Sequence, residues 1–318
     1  MDNFYTYLKW RGDLTFANAP FNEVDNLLLS QIAYVDFDDI VKGPDECYSI
    51  TIGDAMRKLK KRYDEDSIKN MPKLSREWLE TFYAIASSKR FMNQHMSCYV
   101  KEIDAVRESQ FAAIRIDIDD NSTYIAYSGT DTSVVGWKEN FNMTFLEATP
   151  GQKKATKYLE TVTENLYRII RVGGHSKGGN LAVYAAMHAR SEVRDKITCI
   201  YNNDGPGFTK KMILKEAYKE ILPRIHTFVP QSSVIGMLLM HEENIEIIKS
   251  SNVGLMQHDA VSWGVMGDSF LKVDNREKSM VKIDKTLKKW VEGTSPSLPP
   301  SHSARTLIGR ASLYFAGE

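Results

Sequence analysis

The segment Arg171-Val-Gly-Gly-His-Ser-Lys-Gly-Gly-Asn-Leu-Ala-Val-Tyr-Ala-Ala186 contains Gly174-His175-Ser176-Lys177-Gly178, a serine with glycine two residues before it and two after it. That spacing suits a hydroxyl nucleophile presented on a sharp strand-to-helix turn. The serine backbone is strained in such a turn, and the positions two residues to either side crowd the neighbouring strand and helix. Glycine removes the side chains that would collide there. A helix beginning directly behind the serine aims its first amides and its positive dipole end at a developing oxyanion. The flanks agree, with apolar Ile169, Ile170 and Val172 entering and an Ala-rich run without early proline leaving. Lys177 is misplaced for a G-x-x-x-x-G-K-[ST] phosphate loop. The plain alternative is a glycine-rich turn with an incidental serine.

The elements that would hold this turn follow from hydrophobic period. Ile114, Ile116 and Ile118 alternate with Arg115 and Asp117, a strand with unlike faces; residues 119–122 turn, and residues 124–127 return. Strands are then expected at 168–172, 197–201 and 224–229, with helices at 177–190 and 209–220. Short apolar strands separated by helices imply an α/β architecture with a mostly parallel sheet covered on both faces. Before the sheet, residues 1–95 are mainly helical. The stretch 51–63 carries Ile52, Met56, Leu59 and Tyr63 at helical spacing behind a Thr51 cap, and 75–86 forms a second helix capped by Ser75. The cations at 57, 58 and 60–62 are read as a solvated helix face, and Met237-Leu-Leu-Met240 as part of a packed core helix. Residues 1–293 are expected to form one domain, followed by a Pro/Ser-rich linker and tail at 294–318.

Composition narrows the function class. The 318 residues hold 41 Lys plus Arg against 41 Asp plus Glu, so a sequence-independent nucleic-acid binder, which needs a basic excess, is disfavoured. Cys47, Cys98 and Cys199 stand far apart, which predicts neither a disulfide framework nor a cysteine zinc site and fits a reducing, cytoplasmic compartment. The start lacks the pattern of a secretory signal, and no apolar run approaches the roughly 20 residues of a membrane span. Asp117, Asp119 and Asp120 are explained by a turn, and His241-Glu-Glu-Asn244 lacks the second histidine of a zinc protease helix.

Gly-His-Ser-Lys-Gly-Gly-Asn-Leu-Ala is similar to the elbow of class 3 lipases, and more closely resembles that of the bacterial Mbeg1-like proteins. Lys9-Trp-Arg-Gly-Asp-Leu-Thr-Phe16, Asn203-Asp-Gly-Pro-Gly-Phe208 and Gln257-His-Asp259 carry the second likeness to about Phe270. The resemblance implies an α/β-hydrolase fold and serine hydrolase activity, without a substrate. Tyr127-Ser-Gly-Thr-Asp131 is similar to the F-R-G-T segment of class 3 lipases. By that correspondence the amide of Thr130 or of Asp131 would join that of Lys177 in an oxyanion hole, and residues 137–145 would form the following helix.

The base is reached by elimination. His175 belongs to the elbow and is expected to point away from the serine's site; His188 lies far along the following helix. His226 sits inside a strand, His241 behind a buried helix, His302 in the tail, and His95 before the sheet. His258 remains, and the serine–acid–histidine order of this fold places a base there. The acid is less determined. Ser232 and Ser233 occupy the place of the acidic D-x-V-P segment of class 3 lipases. Asp204, at a strand end, is the preferred substitute, with Asp259 and an orienting Ser233 left open.

The expectation is a serine hydrolase in which Ser176 forms an acyl-enzyme with a small-molecule or lipid ester, thioesters and amides remaining open. No metal or organic cofactor is required. The alternative is a non-catalytic hydrolase-like scaffold that binds a ligand or partner.

Overall fold

In a computed structural model, which describes residues 1–46, 48–104, 106, 109–130 and 148–274, one sheet runs through the molecule. Its strands are β1 (Ile50–Thr51), β2 (His95–Asp104), β3 (Ser109–Ile118), β4 (Ser122–Tyr127), β5 (Ile169–His175), β6 (Ile197–Asn203), β7 (Ile225–Pro230) and β8 (Ile245–Ile248). They lie side by side in chain order. Neighbours from β1 to β4 are antiparallel, and those from β4 to β8 are parallel. The sheet is mostly parallel with helices on both faces, an α/β-hydrolase fold.

Period-two alternation divides the core. Tyr124 and Ala126 of β4 pack with the N-terminal helices Glu23–Ile32, Ile52–Arg62 and Lys73–Ala86, through Val24, Leu28, Ile52, Leu59 and Phe82. Ile125 and Tyr127 face the other way, onto the helices Pro150–Thr163 and Lys177–His188, through Leu159, Leu181 and Ala185. Thr51 caps its helix as expected, its Oγ1 accepting from the Asp54 amide.

Several elements differ from expectation. The helix expected from Ser75 begins at Lys73 behind Pro72, so Ser75 lies inside the first turn and caps nothing. Strand β2 carries little periodic signal because its outer end, Lys101-Glu-Ile-Asp104, is mostly polar and exposed, while β8 is only four residues long. The stretch 209–220 is broken into the short helices Lys210–Ile213 and Glu216–Ile221. Met237 ends a 3-10 turn, Leu239 has φ 66°, and Met240 bridges to Phe208, so this segment is not a core helix. Residues 137–145 and 294–318 lie outside the described residues. Among the described residues, no helix is long and apolar enough to cross a membrane.

The N-terminal layer is tied down by Arg90. Its Nε and Nη2 donate to the two oxygens of Asp25 at 2.7 and 2.5 Å, and its remaining donors reach the carbonyls of Leu14, Ala19 and Pro20. Arg90 is 1% exposed and Asp25 not at all. The end of the Lys9–Phe16 segment is thus held to this guanidinium through the Leu14 and Thr15 carbonyls. Removing one partner strands the other charge, so Arg90→Met should cost about 3–5 kcal/mol in urea unfolding. Asp25→Leu combined with Arg90→Met should recover part of that loss. On the other face, Glu243 accepts from Tyr218 and Thr227 and pairs with His241 at 2.8 Å. Burial pushes its pKa up, but His241 and the two hydroxyls overcome this and hold it at about 2, down from 4.5. A depressed carboxyl stabilises the fold above its unfolded value and loses that contribution as pH falls toward 2. Between those limits, chemical denaturation should show a smaller pH-linked loss of stability for Glu243→Gln than for the parent.

Candidate active site

Strand β5 ends at His175, and the helix Lys177–His188 begins one residue after Ser176. Ser176 between them has φ 59° and ψ −132°, a left-handed conformation that costs a non-glycine residue about 1–3 kcal/mol. Its amide donates to the Asn203 carbonyl on the next strand (2.9 Å). A Cβ on Gly178 would lie 2.1 Å from the Tyr127 carbonyl, and one on Gly174 would lie 2.3 Å from the Gly178 backbone. The two glycines let β4, β5 and the helix start meet at this density.

The N-terminal layer reaches the same bend. Asn26 donates to the Asn203 side chain (2.8 Å) and Asn203 returns the bond (3.1 Å), while also donating to the Gly174 carbonyl (3.1 Å). Tyr124 donates its hydroxyl to Asn26 Oδ1 at 2.8 Å. These buried polar groups satisfy one another, as burial away from water demands.

Asp204 follows the end of β6 with φ 55° and is fully buried. Its amide donates to the Phe228 carbonyl (2.8 Å), and its Oδ2 lies 2.7 Å from His258 Nδ1. His258 closes the 3-10 turn Gly254–His258, beyond β8. That turn is held from three sides. Trp263 donates its indole N–H to the Gln257 carbonyl (3.0 Å), the Ser232 amide donates to the Gln257 side chain (2.8 Å), and His175 Nε2 lies 2.8 Å from the His258 carbonyl. The other acid candidates are engaged elsewhere: exposed Asp259 accepts from the Val261 amide, and Ser233 Oγ from the Gly236 amide.

Lys177 supplies the first amide of the helix behind Ser176, while its buried ammonium donates to the carbonyl and side-chain oxygen of Gln110, both at 2.6 Å. Thr130 stands beyond the end of β4; Asp131 lies outside the described residues. A carboxylate that accepts the Nδ1 proton of an imidazole leaves Nε2 as the basic nitrogen. An imidazole held this way and a strained serine at the start of a helix are among the parts that acyl transfer uses.

His175 does not point away from this region, as the sequence suggested. Its ring lies 4.6 Å from that of His258, and its Nδ1 is 3.0 Å from the Tyr34 hydroxyl. Burial, reinforced by the neighbouring His258, holds His175 well below the usual histidine range, so it is neutral. Tyr34, Asn26 and Asn203 were not anticipated, because contacts across 141 and 177 positions leave no local signature. The remaining described histidines serve other contacts: His95 with Ser49, His188 on Tyr184, His226 on Tyr201, and His241 with Glu243.

Two solved lipases resemble this chain in part. The Rhizomucor miehei lipase–propeptide complex aligns with a TM-score of 0.40 at 13% identity, covering 55% of this chain and 70% of that one. The M37 lipase aligns with a TM-score of 0.38 at 14% identity over the same shares. No curated protein matches the sequence. The Mbeg1-like family model matches residues 85–298, more than half of the chain, which therefore belongs to the Mbeg1-like family.

Proposed function

We propose that the protein is a serine hydrolase acting on acyl esters. Ser176 Oγ attacks the carbonyl carbon while His258 Nε2 takes its proton, and Asp204 orients the imidazole and balances the imidazolium that forms. The tetrahedral oxyanion is held by the Lys177 amide together with that of Thr130 or of Asp131. His258 then protonates the leaving alcohol, and water, activated by the same imidazole, releases the acyl group and restores Ser176. A small-molecule or lipid ester fits this sequence of steps without a cofactor, in a protein of the cytosol.

The observation that carries the proposal is the 2.7 Å contact between His258 Nδ1 and a completely buried Asp204. A carboxylate removed from water costs several kcal/mol unless it is paired. A binding scaffold gains nothing from burying one against an imidazole in a protein that also holds a serine in a strained strand-to-helix bend.

A fluorophosphonate probe should label the parent protein at Ser176, and Ser176→Ala should not be labelled under the same conditions. Turnover of short p-nitrophenyl esters should fall on the order of 10⁴-fold in Asp204→Asn, which holds the imidazole in the wrong tautomer. Equal hydrolysis by the parent, Ser176→Ala and His258→Ala would instead identify a scaffold with only background reactivity.

A further inference from the structure

Tyr34, the second residue after the helix Glu23–Ile32, precedes the residues matched by the family model, yet it touches the elbow. Its ring stacks on Trp78 at 4.7 Å with 20° between planes, which fixes where the hydroxyl lies. That hydroxyl is 3.0 Å from His175 Nδ1 and 3.2 Å from the His175 carbonyl. It also faces the backbone amide of Gly129, where an added Cβ would sit 2.1 Å from the phenol oxygen. Gly129 directly precedes Thr130.

The proton positions in this chain follow from its ends. His175 Nε2 lies 2.8 Å from the His258 carbonyl, and a carbonyl oxygen only accepts, so Nε2 carries the proton. In a neutral ring Nδ1 is then an acceptor, and the single Tyr34 O–H donates to it at 3.0 Å, shared with the His175 carbonyl at 3.2 Å. The phenol oxygen keeps lone pairs toward the Gly129 amide. Direction is therefore consistent from the loop after β4, through Tyr34 and His175, to the backbone of His258. A flipped His175 ring would set Cε1 against the His258 carbonyl and Cδ2 against the Tyr34 hydroxyl, and both hydrogen bonds would be lost in a site that is 7% exposed.

We infer that Tyr34 and His175 are positioning residues, a hydrogen-bonded clamp through which the N-terminal helical layer fixes the loop of the base relative to the loop of the oxyanion donor. The clamp touches no substrate and transfers no proton. It holds His258 from its backbone side, while Asp204 holds it from the imidazole side, so the ring has two independent anchors. This inference rests on the serine hydrolase reading for its catalytic consequence, and on geometry alone for its existence.

The test uses the full chain with Tyr34→Phe, which keeps the ring on Trp78 and deletes one hydroxyl, and His175→Phe, which deletes both ring nitrogens. In the parent, nitrogen NMR of labelled histidine should place the His175 proton on Nε2. Hydrogen exchange of residues 254–262 should quicken in both variants. The maximal rate of fluorophosphonate labelling should fall roughly three- to tenfold in Tyr34→Phe, the rate equivalent of one neutral hydrogen bond. The probe concentration at half-maximal rate should stay unchanged, a split that general loosening of the fold does not produce. In the double variant the loss should match that of His175→Phe, since both changes break one chain. Unaltered labelling and exchange in Tyr34→Phe, or a His175 proton on Nδ1, would overturn the clamp and leave the nucleophile assignment intact. Should the parent itself resist labelling, the hydrolase reading fails, and the proton position and loop exchange still decide the clamp.

Discussion

The site depends on one backbone bend. Ser176 leaves β5 in a left-handed conformation that its side chain disfavours, and the surrounding structure has to over-determine it. Three constraints do so. Glycines at 174 and 178 let the Tyr127 carbonyl at the end of β4 approach to distances no Cβ would allow, the Asn203 carbonyl takes the Ser176 amide, and a buried helix begins at the next residue. Relaxing any of them would let the serine settle into an ordinary strand or helix conformation and withdraw its hydroxyl from the sheet edge.

That bend also explains why the other groups converge. Parallel strands β5, β6 and β7 end on the same edge, so residues just past their ends become neighbours despite wide separation in the chain. Asp204 follows β6 directly, and the loop after β8 returns His258 to it across 54 positions. Like Ser176, Asp204 has a positive φ, so both side chains are turned by strained rims rather than by flexible loops. The proposed reaction needs this rigidity, because an imidazole that wanders loses alignment with the proton it must take.

The N-terminal helices are part of this machinery rather than an addition beside it. Asn26 and Asn203 exchange side-chain hydrogen bonds beneath the elbow, and Tyr34 meets His175 at its top. The same layer is anchored by Arg90 on Asp25, whose burial makes the arrangement intolerant of a single missing partner. Strain at the elbow is thus offset by packing and polar pairing contributed from residues far earlier in the chain.

Local patterns made much of this visible. The spacing of Gly174, Ser176 and Gly178 specifies a strand-to-helix bend because the collisions it relieves are local, and the periodicity of β3, β4 and the helix after Ser176 is long enough to reveal their type. Elements that are short or half-polar, such as β1, β8 and the outer end of β2, carry too little periodic signal to be seen. Met237-Leu-Leu-Met240 misled because an apolar run has no preferred period, and its bridge to Phe208 rather than its own propensity sets its shape. His258 could be singled out by elimination and chain order. Its pairing with Asp204 instead of Asp259 or Ser233, and the turning of His175 toward the site, were decided only by the tertiary structure. Both depend on which strand ends the sheet brings together, and hydrogen bonds between such ends leave no trace in the spacing of neighbouring residues.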